Sequence, residues 1–110
     1  MNTPNPREYG MIPAVTLQSI QRYVCHGIGP GDFLCAVLEN DLREAVGRAD
    51  EYNIAALPQI VMFLHNWVPG GCWGYEGRVK VWEKTAQEEW WQEGIDTYWP
   101  EGQLWPQRRI

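Results

Sequence analysis

Cysteine is scarce in this 110-residue chain and unpatterned: Cys25, Cys35 and Cys72 are an odd number, with neither a C-x-x-C nor an H-x-x-x-H spacing around them. That argues against a disulfide framework. It also gives zinc no ordinary ligand set, although Cys25, His26, Cys35, His65 and Cys72 are the residue types zinc prefers. No charged segment followed by an apolar one precedes these cysteines, so the chain reads as a reduced, cytoplasmic protein. Long apolar runs are missing as well. The longest, residues 60–64, falls far short of the ~20 residues a membrane span requires.

Basic charge is in deficit: the net charge is −5 and the sequence pI is near 4.9, which argues against a general nucleic-acid binder. A small anionic ligand stays open, because a few arginines converging in one pocket can hold a nucleotide in an acidic protein. There is no G-x-S-x-G element, and the adjacency of Cys25 and His26 does not make a dyad in space. The expectation is therefore a protein that is not an enzyme and carries no cofactor. Alternating strand patterns, internal repeats and low-complexity tracts are absent too.

What the chain has in excess is tryptophan, seven in a single domain's length of sequence. Indoles are rarely fully buried and are enriched at interfaces, so a homo-oligomer or a planar ligand is expected to cover some of them.

The apolar spacing predicts an all-α fold, a small bundle of about four helices over residues 13–94. Residues 1–12 read as a flexible arm with no core role. Residues 95–110 read as an irregular aromatic, proline-rich segment lying on the body or on a neighbouring subunit. Thr16 is a natural N-cap for a first helix, with Leu17, Ile20 and Val24 on one face and Gly27 as its stop. A second helix is expected from Asp32, whose side chain suits the open first turn, to about Ala49. Its apolar face is Leu34, Val37, Leu38, Leu42, Ala45 and Ala49. A third, capped by Asn53 and beginning near Leu57 because of Pro58, carries the stripe Leu57, Ile60, Val61, Leu64 and Val68. A fourth places Val79, Trp82, Ala86 and Trp90 on one side and ends near Gly94.

Asn40 and Asp41 interrupt the second apolar pattern where Leu or Ala would serve a purely structural helix better. With Glu44 and Arg48 they could offer donors and acceptors to one ligand. The plainer reading has Asn40 or Asp41 bonding the open end of a neighbouring helix and Arg48 pairing with Asp50 or Glu51. Arg22 beside Tyr23 is the pairing that holds a phosphate and stacks a base; its plainer reading is a surface arginine and a half-buried ring. Trp73 and Arg78 flank a glycine-rich turn whose amides could receive an anion, or which is a tight connection plugged by a core indole.

The string Ile20-x-Arg22-Tyr23-Val24-x-x-Gly27-Ile28-x-Pro30-Gly31-Asp32-Phe33-Leu34-x-Ala36-Val37-Leu38-x-Asn40-Asp41-Leu42, followed by Arg48-Ala49-Asp50-x-x-Asn53, resembles a group of small phage- and prophage-encoded proteins. The resemblance covers residues 11–86. It departs at Tyr75-Glu76-Gly77, where the group has a Ser-Pro-Glu type of helix start, at Pro58, and in the tryptophan-rich tail. It implies a genomic setting, in the cytoplasm of a host cell, and brings no catalytic residue with it. In outline the chain is similar to counter-defence proteins that sequester immune signals of the cyclic nucleotide or cyclic ADP-ribose type. On that footing Arg22, Arg48 and Arg78 are expected to meet phosphate, Tyr23 and Trp73 to stack, and Asn40 to bond a base or ribose. One alternative is a protein-interaction module that inhibits a host or phage partner through the aromatic tail. The weaker one is a nucleotide-cleaving enzyme using Asp41 or Glu44.

Overall fold

Proline and glycine set the two ends of the first helix, α1, Ala14–His26. The fixed φ of Pro13 suits a helix start, and its carbonyl accepts the amide of Leu17 at 3.1 Å. Gly27 stops the helix in the left-handed region at φ 66°, its amide returning to the carbonyl of Tyr23. A side chain there would also collide with the fifth helix: an added Cβ would lie 2.9 Å from both the Glu83 carbonyl oxygen and the Ala86 Cβ. The computed structural model describes residues 4–87, 99, 103, 105 and 106.

The second helix expected from the sequence is two. α2, Asp32–Leu38, and α3, Leu42–Arg48, are separate and packed on each other. Asn40 takes a positive φ of 61°, and the amides of Asn40 and Asp41 fold back onto the carbonyls of Val37 and Ala36 at 3.1 and 2.8 Å. This is the hydrogen-bond pattern of a Schellman stop. Asp41 then starts α3 at once, its side chain accepting the amide of Glu44 at 3.2 Å. Because the break reorients the chain, Leu42 is turned out to solvent instead of joining the expected apolar face.

α4, Glu51–Trp67, begins earlier than Pro58 suggested and runs straight through it. Asp50, not Asn53, is the cap and accepts the Asn53 amide at 2.7 Å. Thr16 and Asn53, both expected as caps, lie in the first turns of their helices and join them: Oγ1 of Thr16 donates to Oδ1 of Asn53 at 2.7 Å. Ala56, Ile60, Phe63 and Leu64 are buried on α4, whereas Val61, expected on that stripe, is exposed. A short 3-10 turn, Gly70–Cys72, leads to α5, Arg78–Thr85, which buries Val79 and Trp82. Trp90 and Gly94 lie outside the described residues.

All five helices feed one core, and no strand occurs among the described residues, so the architecture is all-α. The N-terminal segment belongs to that core. Pro4, Tyr9 and Ile12 are buried, against the reading that gave residues 1–12 no core role. Tyr9, Trp99 and Trp105 surround the Phe63 ring at centroid separations of 5.5, 5.9 and 6.0 Å. The described indoles turn inward as well. Trp82 and Trp99 are buried, and Trp67, Trp73 and Trp105 pack against the core. The indole N–H of Trp82 donates to the Tyr23 carbonyl at 3.1 Å and that of Trp99 to the Gln103 carbonyl at 3.1 Å. Satisfying those donors internally is what lets the rings be buried without a covering subunit.

Candidate functional site

The loop over residues 73–77 is held from beneath. Tyr23 is fully buried, and its hydroxyl donates to the Cys72 carbonyl at 2.7 Å, with the Arg78 carbonyl at 3.4 Å. Trp73 is half-buried against the core. Positive φ values at Gly74 and Gly77, 103° and 84°, turn the chain sharply between these anchors. The Gly74 amide donates to the Leu38 carbonyl at 2.6 Å, which docks the loop on the last turn of α2.

That docking creates a cleft between the loop and the Asn40 turn. It has a volume of about 520 Å³ and is lined by Glu39, Asn40, Asp41, Leu42, Gly74, Tyr75 and Glu76. Tyr75 is 64% exposed, and the Arg78 guanidinium lies 5.2 Å from its ring centroid, in cation–π range. Asp41 already spends one oxygen on the α3 amide. Glu39 and Glu76 add further acceptors to the wall.

The structure thus brings the Asn40 turn against the glycine-rich loop through Gly74, Tyr75 and Glu76, with Arg78 outside the lining and in contact with the Tyr75 ring, and separates the other marked residues. Tyr23 cannot stack a ligand, since its ring is in the core; it positions the loop instead. Trp73 likewise faces the core more than the cleft. Arg22 is exposed on α1 and lines none of the concavities described here. Arg48 lines a different groove, of about 400 Å³, between the first turns of α1 and α2. There it pairs with Asp32 at 3.2 Å and Glu44 at 3.3 Å, in place of the anticipated Asp50 or Glu51. These pairs are well exposed and add little stability. Asp32, expected to cap α2, makes no cap bond.

Tyr75, Glu39 and Glu76 are the lining residues that sequence reasoning missed. An aromatic residue set between two glycines, Gly74 next to it and Gly77 two residues on, was the available signal, because such a ring has no helix face to retire to.

None of the three cysteines forms a disulfide. Burial pushes the Cys72 thiol up to about 12, and burial together with the Glu39 and Asp32 carboxylates raises that of Cys35. Both shifts favour the protonated thiol, the opposite of an activated nucleophile. No cluster of metal-binding side chains occurs among the described residues, and no described helix is long and apolar enough to cross a membrane. No protein-family model matches this sequence, and comparisons with curated proteins and with solved structures find no match either.

Proposed function

We propose that this chain is a binding protein that holds a small nucleotide-derived ligand in the cleft between the Asn40 turn and the Tyr75 loop. The observation that carries the reading is the exposed Tyr75 ring at that cleft, with Arg78 beside it. A base stacks on the free face of such a ring, and stacking is worth about 1–3 kcal/mol per base. Asn40 offers both donors and acceptors to a base edge, and Glu39 and Glu76 accept from ribose hydroxyls or an exocyclic amine. Arg78 supplies the charge for a phosphate. The three carboxylates of the lining repel a polyphosphate, so the favoured ligand carries few phosphate charges, as a cyclic nucleotide does.

In the phage setting that the sequence resembles, such a protein withholds an immune signal from its effector. The alternative of an aromatic-tail interaction module is weakened by Trp99 and Trp105, which are engaged with the chain's own Phe63.

Titration calorimetry with a panel of cyclic mono- and dinucleotides tests the reading. Tyr75→Ala and Arg78→Ala should each weaken a bound member about 10-fold or more, the scale of one stacked base. Arg48→Ala should leave binding unchanged. Equal affinity in the wild type and the Tyr75 variant would remove this cleft as the site.

A further inference from the structure

Residues 52–75 contain no Asp, Glu, Lys or Arg, in a chain whose charged fraction is 21% and whose net charge is −5. Most of α4 lies within this stretch, and apolar residues stand on its outer face as well as its inner one, with the exposed polar residues His65 and Asn66 near the C-terminal end of that outer face. Ala56, Ile60, Phe63 and Leu64 face the core at 0% exposure, while Ile54, Val61 and Met62 stand outward at 39%, 39% and 54%. With the exposed Pro58 these form an i, i+4, i+7, i+8 stripe, the spacing of a helix face that packs on something. Met11 extends it: it is itself 54% exposed, and its amide is tied to α4 through Oε1 of Gln59 at 2.8 Å. Alongside runs a groove of about 560 Å³ between α4 and residues 7–9, bordered by Pro58 and Met62.

We infer that this face binds a second copy of the chain, α4 against α4 about a two-fold axis, with Val61 and Met62 of each copy entering the groove beside Pro58 of the partner subunit. Charge selects the occupant. Two copies at −5 repel each other over most of their surface, and α4 beyond its first residue, Glu51, is where they approach with least of that cost. The groove's rim holds Arg7 and Glu8, one charge of each sign, so self-apposition sets no excess of like charge against itself. A strongly basic or acidic partner finds nothing here to pair with. Shape agrees, because projecting side chains and a groove sit next to each other on one face, as an isologous contact requires. A helix of this length is about 25 Å long. A contact confined to one face of one such helix is small for a specific interface, so a weak dimer is expected.

Sedimentation velocity from about 1 to about 300 µM brackets the Kd of so small an interface. The wild type should pass from its 12.7 kDa monomer to twice that mass, and sodium sulfate should tighten the association. Met62→Glu, a change at an exposed position, should weaken dimerisation at least about 10-fold, with an unchanged circular dichroism spectrum. As a second readout, Met62→Cys should form an intermolecular disulfide on oxidation, and Val81→Cys, exposed on α5, should not. A wild type that stays monomeric throughout, a Met62→Glu dimer as tight as wild type, or equal cross-linking at both cysteines each overturns the inference. None of these readouts depends on ligand binding at the Tyr75 cleft.

Discussion

The phenol of Tyr23 and the backbone of Cys72 meet in one buried contact at the root of the loop that carries Tyr75 and leads into Arg78 of α5. Burial raises both ionisable groups there, the Cys72 thiol to about 12 and the Tyr23 phenol well above its usual range. In the unfolded chain the thiol loses its proton near 8.5, whereas in the fold it keeps it up to about 12. The folded state therefore binds more protons in that interval, and the stability this group contributes is complete below pH 8.5 and declines as pH rises toward 12. Urea unfolding at pH 8 and pH 10.5 should show a loss of about 2 kcal/mol. Cys72→Ala should flatten that slope between the two pH values, with only the phenol contributing near the upper end. A wild-type protein equally stable at both would mean that the thiol is not shielded from water.

At the scale of the element, the turn between α2 and α3 decides where the cleft's first wall stands. Asn40 tolerates the left-handed region that a Schellman stop demands, and Asp41 caps the helix that follows, so two adjacent polar residues close one helix and open the next. A continuous helix would gain from Leu at position 40. In the broken one, Asn40→Leu should cost about 1–2 kcal/mol, Asn40→Gly about zero, and Asp41→Ala about 1 kcal/mol. Chemical denaturation of the three variants separates the two geometries. The reversed order, with Leu the most stable, would restore a single helix.

Across the whole molecule, segments far apart in sequence converge on Phe63. Tyr9 approaches it from the N-terminal side, and Trp99 and Trp105 from the C-terminal side. A chain started at Met11 lacks Pro4 and Tyr9, both fully buried. Losing a buried aromatic costs about 3 kcal/mol, so the shortened protein should melt at least about 10 °C lower. Unchanged melting would show that residues 4–10 add nothing to the core.

Local chemistry alone was enough for much of this. The all-α class follows from the 3.6-residue spacing, the end of α1 from Gly27, and the inward face of α4 from Ile60 and Leu64, because each depends on neighbours within a turn or two. Asn40-Asp41 could have been read as a stop followed by a start, since both preferences are local; the apolar residues on either side masked it by keeping a helical period across the break. What only the tertiary structure decided is which groups meet. Thr16 finds Asn53, Tyr23 finds Cys72, and the Gly74 amide finds Leu38, at separations no local rule spans. Those contacts bury the ring expected to stack, expose Tyr75 in its place and set Arg48 in a separate groove. Periodicity says which side of a helix is apolar, but only the packed chain says which apolar side is covered, and α4 carries apolar residues on both.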